Sequence, residues 1–156
     1  SGNHEDLYLR IAGGMTDEDV PFVKEQETKL HKAGLNEFFT ISPNISRAEK
    51  IKFLKNLTIF SVPARYPEAF GLYVVEAMLV GTPVILPDTG AFPEIVSTTK
   101  GGLIYEQGKL SNTLQYLLEN LDDVKEMGLN GRKAVVEKYC NEKLAKSLID
   151  IILAQN

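Results

Sequence analysis

Short, almost continuously apolar runs alternate along this chain with segments of helical periodicity. Each run is followed by a turn or loop and then by apolar residues at helical spacing; the runs cover residues 7–12, 37–41, 58–62, 83–86 and 101–105. Strands that are apolar on both faces are typical of parallel sheets covered by helices on both sides. The pattern therefore predicts an α/β fold, a Rossmann-like parallel sheet of about five strands with helices on both faces.

Local signals support this alternation. Ser46 and Glu49 stand at the spacing of a capping box, ahead of apolar residues at helical intervals. A further helix is predicted at about residues 71–80, after the third run. Residues 111–155 show only helical periodicity, so this tail is expected to pack on the sheet rather than to extend it.

Composition excludes several classes of protein. The 156 residues include 17 Lys and Arg against 21 Asp and Glu, and this net charge of −4 has the wrong sign for a protein held to nucleic acid by bulk charge. Cys140 is the only cysteine, and His4 and His31 stand far apart, so neither a disulfide framework nor a metal site is predicted. No run reaches the roughly 18 apolar residues of a transmembrane helix, and we expect a cytoplasmic protein.

The most informative pattern is a pair of glutamates after the third run. Ligands of such sheets bind at the carboxyl ends of the strands, beside helix N-termini. In a continuous helix Glu68 and Glu76 would lie ~12 Å apart along the axis, too far to act as the paired acid and base of a glycosidase. N–H groups of Phe70, Gly71 and Leu72 at the helix start would instead suit a diphosphate, with one carboxylate on each side of it.

A plainer interpretation of the same residues stays open. Glu68 would then be an exposed capping residue favoured by the helix dipole, and Glu76 a solvated residue of the helix. Arg65 could oppose phosphate charge, or it could simply be solvated in a surface loop.

The glutamate pair is not isolated, because it belongs to a set of five segments in register: Glu68-Ala69-Phe70-Gly71-Leu72, Glu76-Ala77-Met78, Gly81-Thr82-Pro83-Val84, Gly90-Ala91-Phe92-Pro93-Glu94-Ile95-Val96 and Gly102-Leu103-Ile104. This set resembles the donor-binding half of the retaining glycosyltransferases of family 4, which have the GT-B fold. The segment from Leu9 to Gly14 is similar to an upstream strand of the same family. The resemblance spans nearly the whole chain from Leu7 and is weakest in the C-terminal helices.

The resemblance implies a role for each matching residue. Glu68 would be the catalytic residue that contacts hydroxyls of the transferred sugar, and Glu76 would contact the ribose of a nucleotide-diphosphate sugar. Main-chain groups of Phe70, Gly71 and Leu72 would hold sugar hydroxyls and the diphosphate.

Four further segments are implied in donor binding. They are Gly13 and Gly14 after the first strand, Ser42, Pro43 and Asn44 bordering the base, Arg65 near the phosphates, and Gly90 and Ala91 closing the pyrophosphate side. The family often has glycine where Ala91 and Ala69 stand, and a methyl group is a small change at either position. Neither a cofactor nor a metal is implied, and the nucleotide-diphosphate sugar is the donor substrate.

The implied activity is sugar transfer to an acceptor with retention of anomeric configuration, in polysaccharide or glycoconjugate biosynthesis. The family places an Arg and a Lys, which offset the charge of the leaving diphosphate, in a first strand and helix that would precede Leu7. We therefore expect residues 7–156 to be a donor-binding domain without its usual first strand and helix, and inactive alone. The N-terminal acceptor domain, through which peripheral membrane association would arise, is expected to be missing from this chain. Residues 1–6 are interpreted as a cloning remnant and flexible start.

Two other functional interpretations and one structural question stay open. A domain of the same ancestry could use its nucleotide-sugar cleft for sensing or assembly without catalysis. A flavodoxin-like or nucleotide domain is disfavoured, because the turn at residues 13–16 lacks the GxGxxG fingerprint. Without the family's first strand, the run at residues 7–12 would either pair directly with the run at 58–62 or leave a gap.

Overall fold

The computed structural model describes residues 7–140, 143 and 145. In that part of the chain the strands are β1 (Leu9–Gly13), β2 (Phe39–Pro43), β3 (Phe60–Ser61), β4 (Val84–Pro87) and β5 (Gly102–Tyr105). The helices there are α1 (Val20–Lys32), α2 (Arg47–Lys55), α3 (Leu72–Leu79), α4 (Phe92–Thr99), α5 (Leu110–Glu119) and α6 (Leu121–Lys138). The chain divides into two compact units, the N-terminal unit Ser1–Lys50 and the C-terminal unit Ile51–Asn156. None of the described helices is long and apolar enough to cross a membrane.

In the N-terminal unit, β1 and β2 form a parallel two-stranded sheet. Leu9 is in register with Phe39 at one end and Gly13 with Pro43 at the other. Both strands therefore end at the same edge of the sheet, and the loops that follow them start side by side.

The predicted capping box is confirmed at the start of α2. The main-chain N–H of Ser46 donates to Glu49 Oε2 at 2.8 Å, and the N–H of Glu49 donates to Ser46 Oγ at 3.3 Å. Each side chain satisfies one N–H group that the first helical turn leaves without a partner in the helix.

In the C-terminal unit, β3, β4 and β5 form a parallel three-stranded sheet with β4 in the centre. Successive side chains of a strand point to opposite faces. Val84 and Leu86 accordingly pack in one core cluster with residues of α3 and α4, whereas Ile85 packs in another with residues of α5 and α6. Helices thus cover both faces of this sheet, as predicted.

Glycines let α6 approach the rest of the C-terminal unit closely. A Cβ added to Gly128 would lie 2.4 Å from the carbonyl oxygen of Gly81, and one added to Gly131 would lie 3.0 Å from Cα of Gly101. Glycine inside a helix is less favourable than alanine by about 1 kcal/mol. Its presence at these positions follows from the backbone contact, which a side chain would prevent.

The element boundaries differ from the sequence-based ones at two places. The strand predicted at residues 58–62 is reduced to the two residues of β3, because only Phe60 and Ser61 pair with β4 and Pro63 follows closely. The short helix predicted around residues 94–96 extends over the whole of α4, and Pro93 in its first turn favours this start.

Two further predictions concern strand pairing and the tail. The five predicted strands are all present, but they pair as two parallel sheets, β1 with β2 and β3 with β4 and β5, rather than as one sheet of about five strands. The helical periodicity predicted for residues 111–155 is confirmed up to residue 138 by α5 and α6; most of the segment after residue 140 lies outside the described residues, of which only 143 and 145 follow.

The close approach of α6 gives a stability prediction. Replacing glycine by alanine inside a helix ordinarily stabilises it by up to about 1 kcal/mol, but Gly128→Ala should lower the free energy of unfolding by about 1–3 kcal/mol, because the methyl group meets backbone. Urea unfolding followed by circular dichroism measures this change. Lys133→Ala, at an exposed position of α6, is the matched control and should change stability by no more than about 0.5 kcal/mol. A Gly128→Ala variant as stable as the parent would contradict the contact.

Candidate functional site

Glu68 lies in the loop between β3 and α3, after the carboxyl end of its strand. Its partly exposed carboxylate accepts a hydrogen bond from the Tyr73 hydroxyl to Oε2 at 2.7 Å and one from the N–H of Ala69 to Oε1 at 3.1 Å. An ionised carboxylate has about four acceptor positions. Besides these two donors, the N–H groups of Phe70 and Gly71 also act on the carboxylate, and Glu68 is partly exposed, so groups from outside the chain can reach it.

The surroundings of Glu68 favour its charged form. The hydrogen bond from Tyr73 is the strongest influence that lowers the pKa of Glu68; desolvation opposes it, and the N–H groups of Phe70, Ala69 and Gly71 lower the pKa further. Burial, followed by the hydrogen bond to Glu68 and the charge of Glu68, raises the pKa of Tyr73 to about 12. At neutral pH a neutral phenol thus donates to an ionised carboxylate.

The loop between β4 and α4 holds the main chain of Glu68. Gly90 has a φ of 54°, and a Cβ added there would lie 2.4 Å from the carbonyl oxygen of Glu68 and 2.5 Å from its nitrogen. The N–H of Ala91 donates to the same carbonyl oxygen at 2.9 Å. Gly90 and Ala91, which the family resemblance placed beside a pyrophosphate, therefore contact Glu68, to which the same resemblance gave the sugar.

The start of α3 requires glycine as well. Gly71 precedes the helix with a φ of 74° and a ψ of 60°, and a Cβ on it would lie 3.0 Å from Phe92 Cε1 and 3.3 Å from Glu68 Cγ. The side chains on either side, Phe70 and Leu72, are exposed. The ring of Phe70 also packs edge-on against Tyr139 just after α6, with centroids 6.1 Å apart.

Glu76 and Arg65 lie further along the chain on either side of these residues. Glu76 is partly exposed and lies one turn into α3. Because the chain from Glu68 becomes helical only at Leu72, the ~12 Å separation expected of a continuous helix does not apply here. Arg65 is exposed in the loop after β3.

In the N-terminal unit, Asn44 ties together the loops after β1 and β2. Its N–H donates to the carbonyl oxygen of Gly13 at 2.9 Å, and its side-chain amide accepts the N–H of Met15 at 2.9 Å and donates to the carbonyl of Met15 at 2.8 Å. Asn44 has a φ of 54°, in the left-handed region that asparagine tolerates. The residues predicted after these two strands, Gly13, Gly14, Ser42, Pro43 and Asn44, are thereby brought together within this unit.

Among the described residues, none gives Gly13 or Gly14 a steric reason to be glycine. A Cβ on either would meet nothing within 4 Å, and neither has a positive φ. They differ in this from Gly71 and Gly90, whose neighbours exclude a side chain.

Sequence reasoning missed Tyr73. Its hydroxyl contacts the predicted catalytic glutamate, but the sequence shows only a tyrosine five residues later in an apolar helix. The available signal was a tyrosine, an aromatic side chain with a hydroxyl group, in the first helical turn after the glutamate.

Two other observations delimit the site. A cavity of about 400 Å³ lies beside Gly102 at the amino end of β5, lined in part by Lys100, Tyr116 and Asp123, and so away from the carboxyl ends of the strands. Within the described residues, no group of three or more His, Cys, Asp or Glu side chains could hold a metal ion. The arrangement around Glu68 is suited to accepting hydrogen bonds from neutral hydroxyl groups.

Comparison with known proteins gives the family. The chain belongs to the family described as Glycosyl transferases group 1, whose model matches residues 1–134. The MMP alpha-(1->4)-mannosyltransferase of Mycolicibacterium hassiacum is 27% identical over 129 residues, which are 80% of this chain and 31% of that protein. Human alpha-1,3/1,6-mannosyltransferase ALG2 is 27% identical over 154 residues, 95% of this chain and 36% of that protein. The chain spans about a third of the length of these relatives.

Solved structures give the same fold. The C-terminal domain of LpcC, a glycosyl transferase group 1 family protein of Francisella tularensis, matches with a TM-score of 0.77 and 27% identity over 88% of this chain and 72% of that one. Anabaena Alr3699/HepE matches with a TM-score of 0.80 and 21% identity over 92% of this chain and 41% of that one. The predicted α/β fold of the GT-B type is confirmed, and the glycosyltransferase prediction is confirmed at the level of the family.

The contact between Gly90 and Glu68 can be tested with a matched pair of variants. Gly90 and Gly108 both have a positive φ, but a Cβ on Gly108 would meet nothing within 4 Å. Both Gly90→Ala and Gly108→Ala incur backbone strain, whereas only the first forces a methyl group into backbone. Gly90→Ala should therefore lower the free energy of unfolding by about 1–3 kcal/mol more than Gly108→Ala, as measured by urea unfolding. Equal losses for the two variants would show that Gly90 does not hold Glu68.

Proposed function

We propose that this chain is the nucleotide-sugar-binding domain of a retaining glycosyltransferase of family 4. Its reaction is transfer of a sugar from a nucleotide-diphosphate sugar to an acceptor with retention of anomeric configuration. The names of relatives support the donor class: a Mycobacterium tuberculosis phosphatidylinositol monomannoside mannosyltransferase is described as GDP-mannose-dependent, and Alr3699/HepE has been solved with UDP-glucose.

The anchored carboxylate of Glu68 is the observation that carries this proposal. Sugar hydroxyls are neutral donors, and an ionised carboxylate is a strong acceptor for them. Glu68 is held in its charged form by Tyr73, its main chain is fixed by Gly90 and Ala91, and its side chain is partly exposed. A carboxylate fixed in this way accepts hydrogen bonds from the hydroxyls of the nucleotide sugar without reorganising. Electrostatic catalysis requires such preorganised groups.

The residues around α3 complete the phosphate and ribose end of the proposed site. Glu76, one turn into the helix, accepts hydrogen bonds from the ribose hydroxyls. Main-chain groups of Phe70, Gly71 and Leu72 at the helix start hold the diphosphate, since N–H groups and the helix dipole favour an anion there. Arg65 adds positive charge near it. Because the N–H groups of Phe70 and Gly71 also act on Glu68, a bound diphosphate competes with that carboxylate for them.

The loops tied together by Asn44 bind the donor in the N-terminal unit. Gly13 and Gly14 leave open space beside their backbone, which allows a ligand to approach closely. Ser42, Pro43 and Asn44 border the base.

Residues 7–156 act as the donor-binding domain and do not transfer sugar alone. The chain spans about a third of the length of its relatives, and we propose that transfer also requires an acceptor-binding domain. No metal takes part in the proposed reaction. Main-chain N–H groups and positively charged side chains balance the charge of the leaving diphosphate.

Calorimetry on variants of the chain tests the role of Glu68. Glu68→Gln removes the charged acceptor, so the affinity for a nucleotide sugar should fall about tenfold, while the affinity for the corresponding nucleoside diphosphate should not fall, because the carboxylate that competes with the diphosphate for N–H groups is gone. GDP-mannose with GDP, and UDP-glucose with UDP, are the probes. Glu126→Gln, at an exposed position of α6, is the matched control and should bind like the parent.

Two outcomes would contradict the proposal. Unchanged nucleotide-sugar affinity in Glu68→Gln would remove Glu68 from the donor site, and sugar transfer by the purified chain alone would contradict its inactivity. In an enzyme assembled with its acceptor-binding domain, Glu68→Gln should abolish turnover, whereas a change in affinity alone would favour the sensing or assembly role.

A further inference from the structure

Tyr73 is fixed on two sides within the C-terminal unit. It is the second residue of α3, and its hydroxyl donates to Glu68 Oε2 at 2.7 Å. Its partly buried ring packs edge-on against Phe60 of β3, with ring centroids 6.4 Å apart and an interplanar angle of 65°. The ring of Tyr73 is thus held by a contact with the sheet and its hydroxyl by the bond to Glu68.

This phenol restricts the glutamate. A free glutamate side chain has several rotatable bonds and samples many orientations. Here Oε2 of Glu68 is bound to Tyr73 and Oε1 to the N–H of Ala69, so both oxygens have a partner in the chain. Restricting a binding group before the ligand arrives increases affinity, because less freedom is lost on binding.

We propose that Tyr73 is a positioning residue for Glu68, holding the carboxylate of this partly exposed residue in the orientation in which it accepts hydrogen bonds from the hydroxyls of the donor sugar. The proposal rests on the function proposed above and adds a residue that determines how well the sugar, as distinct from the nucleotide, is bound.

The electrostatics of the loop agree with this role. Among the described residues, Tyr73 makes the largest contribution to lowering the pKa of Glu68. The other ionisable side chains on the elements around Glu68 are Glu76 on α3, Glu94 in the first turn of α4, Asp88 in the loop before α4, and Arg65 and Tyr66 in the loop after β3. Glu94 acts on Tyr139, whose pKa is raised by burial and then by the charge of Glu94.

Tyr73→Phe tests the proposal, because it removes the hydroxyl and keeps the ring. Tyr116→Phe is the matched control: the Tyr116 hydroxyl donates to Asp123 Oδ2 at 2.8 Å, a similar bond between α5 and α6. Two quantities are measured on the whole chain. One is the pKa of Glu68, from a carbon-13 NMR titration of its carboxyl group; the other is the calorimetric affinity for GDP-mannose, GDP, UDP-glucose and UDP as a function of pH.

The expected result has three parts. Tyr73→Phe raises the pKa of Glu68 toward its ordinary value, since the strongest influence that lowers it is gone. Affinity for the nucleotide sugar falls roughly threefold to tenfold, with less than a twofold change for the nucleoside diphosphate. Because Glu68 must be ionised to bind, the loss of nucleotide-sugar affinity in acid begins at a higher pH in Tyr73→Phe. Tyr116→Phe changes none of these.

Other results would overturn the positioning role of Tyr73 or the proposed function on which it rests. An unchanged pKa of Glu68 in Tyr73→Phe, or an equal loss of affinity for sugar nucleotide and nucleoside diphosphate, would overturn the positioning role. If the parent chain binds none of the four probes, the proposed function fails, while the NMR titration still decides whether Tyr73 holds Glu68.

Discussion

The contact of Gly90 with the main chain of Glu68 is the constraint on which the candidate site depends. There is no room for a Cβ at Gly90, and the neighbouring N–H of Ala91 donates to the carbonyl oxygen of Glu68. Two loops that follow different strands are thereby joined at the residue that carries the charge. Gly71 also limits the space around Glu68, because a Cβ on Gly71 would contact Glu68 Cγ and the ring of Phe92. The packed loops therefore fix the main chain of Glu68, and the Tyr73 hydroxyl binds the carboxylate that extends from it.

The loops around Glu68 pack against the core of the C-terminal unit. Phe92, whose ring limits the space at Gly71, is fully buried in the cluster that also holds Val84 and Leu86 of the central strand. The glycines of α6 allow that helix to lie against the backbone at Gly81 and Gly101, and just after its end Tyr139 meets Phe70 of the Glu68 loop. Site geometry and core packing are thus linked through the same elements, and a loosening of either would affect both.

Part of this could be predicted from the sequence. The alternation of apolar runs and helical segments predicted the parallel strands and the covering helices, and the spacing of Ser46 and Glu49 predicted a start of α2. These are local patterns, and local hydrogen bonds and burial determine them. The partners of Gly90 and Tyr73 could not be predicted, because they depend on which loops and rings meet after the sheet has formed. The shortness of β3 likewise depends on its pairing with β4. The roles of Glu68 and Glu76 came from a family resemblance and stay predictions.

The central claim is that Glu68 contacts the sugar of a bound nucleotide sugar, and intermolecular nuclear Overhauser effects test it most directly. Carbon-13-labelled chain would be mixed with unlabelled GDP-mannose and, separately, UDP-glucose, and filtered spectra would identify protein protons close to the hexose. The account predicts effects between the hexose protons and the side-chain methylene protons of Glu68, with further effects from the ring of Tyr73. Hexose effects confined to residues of the cavity beside Lys100 and Tyr116, with none from Glu68, would contradict it.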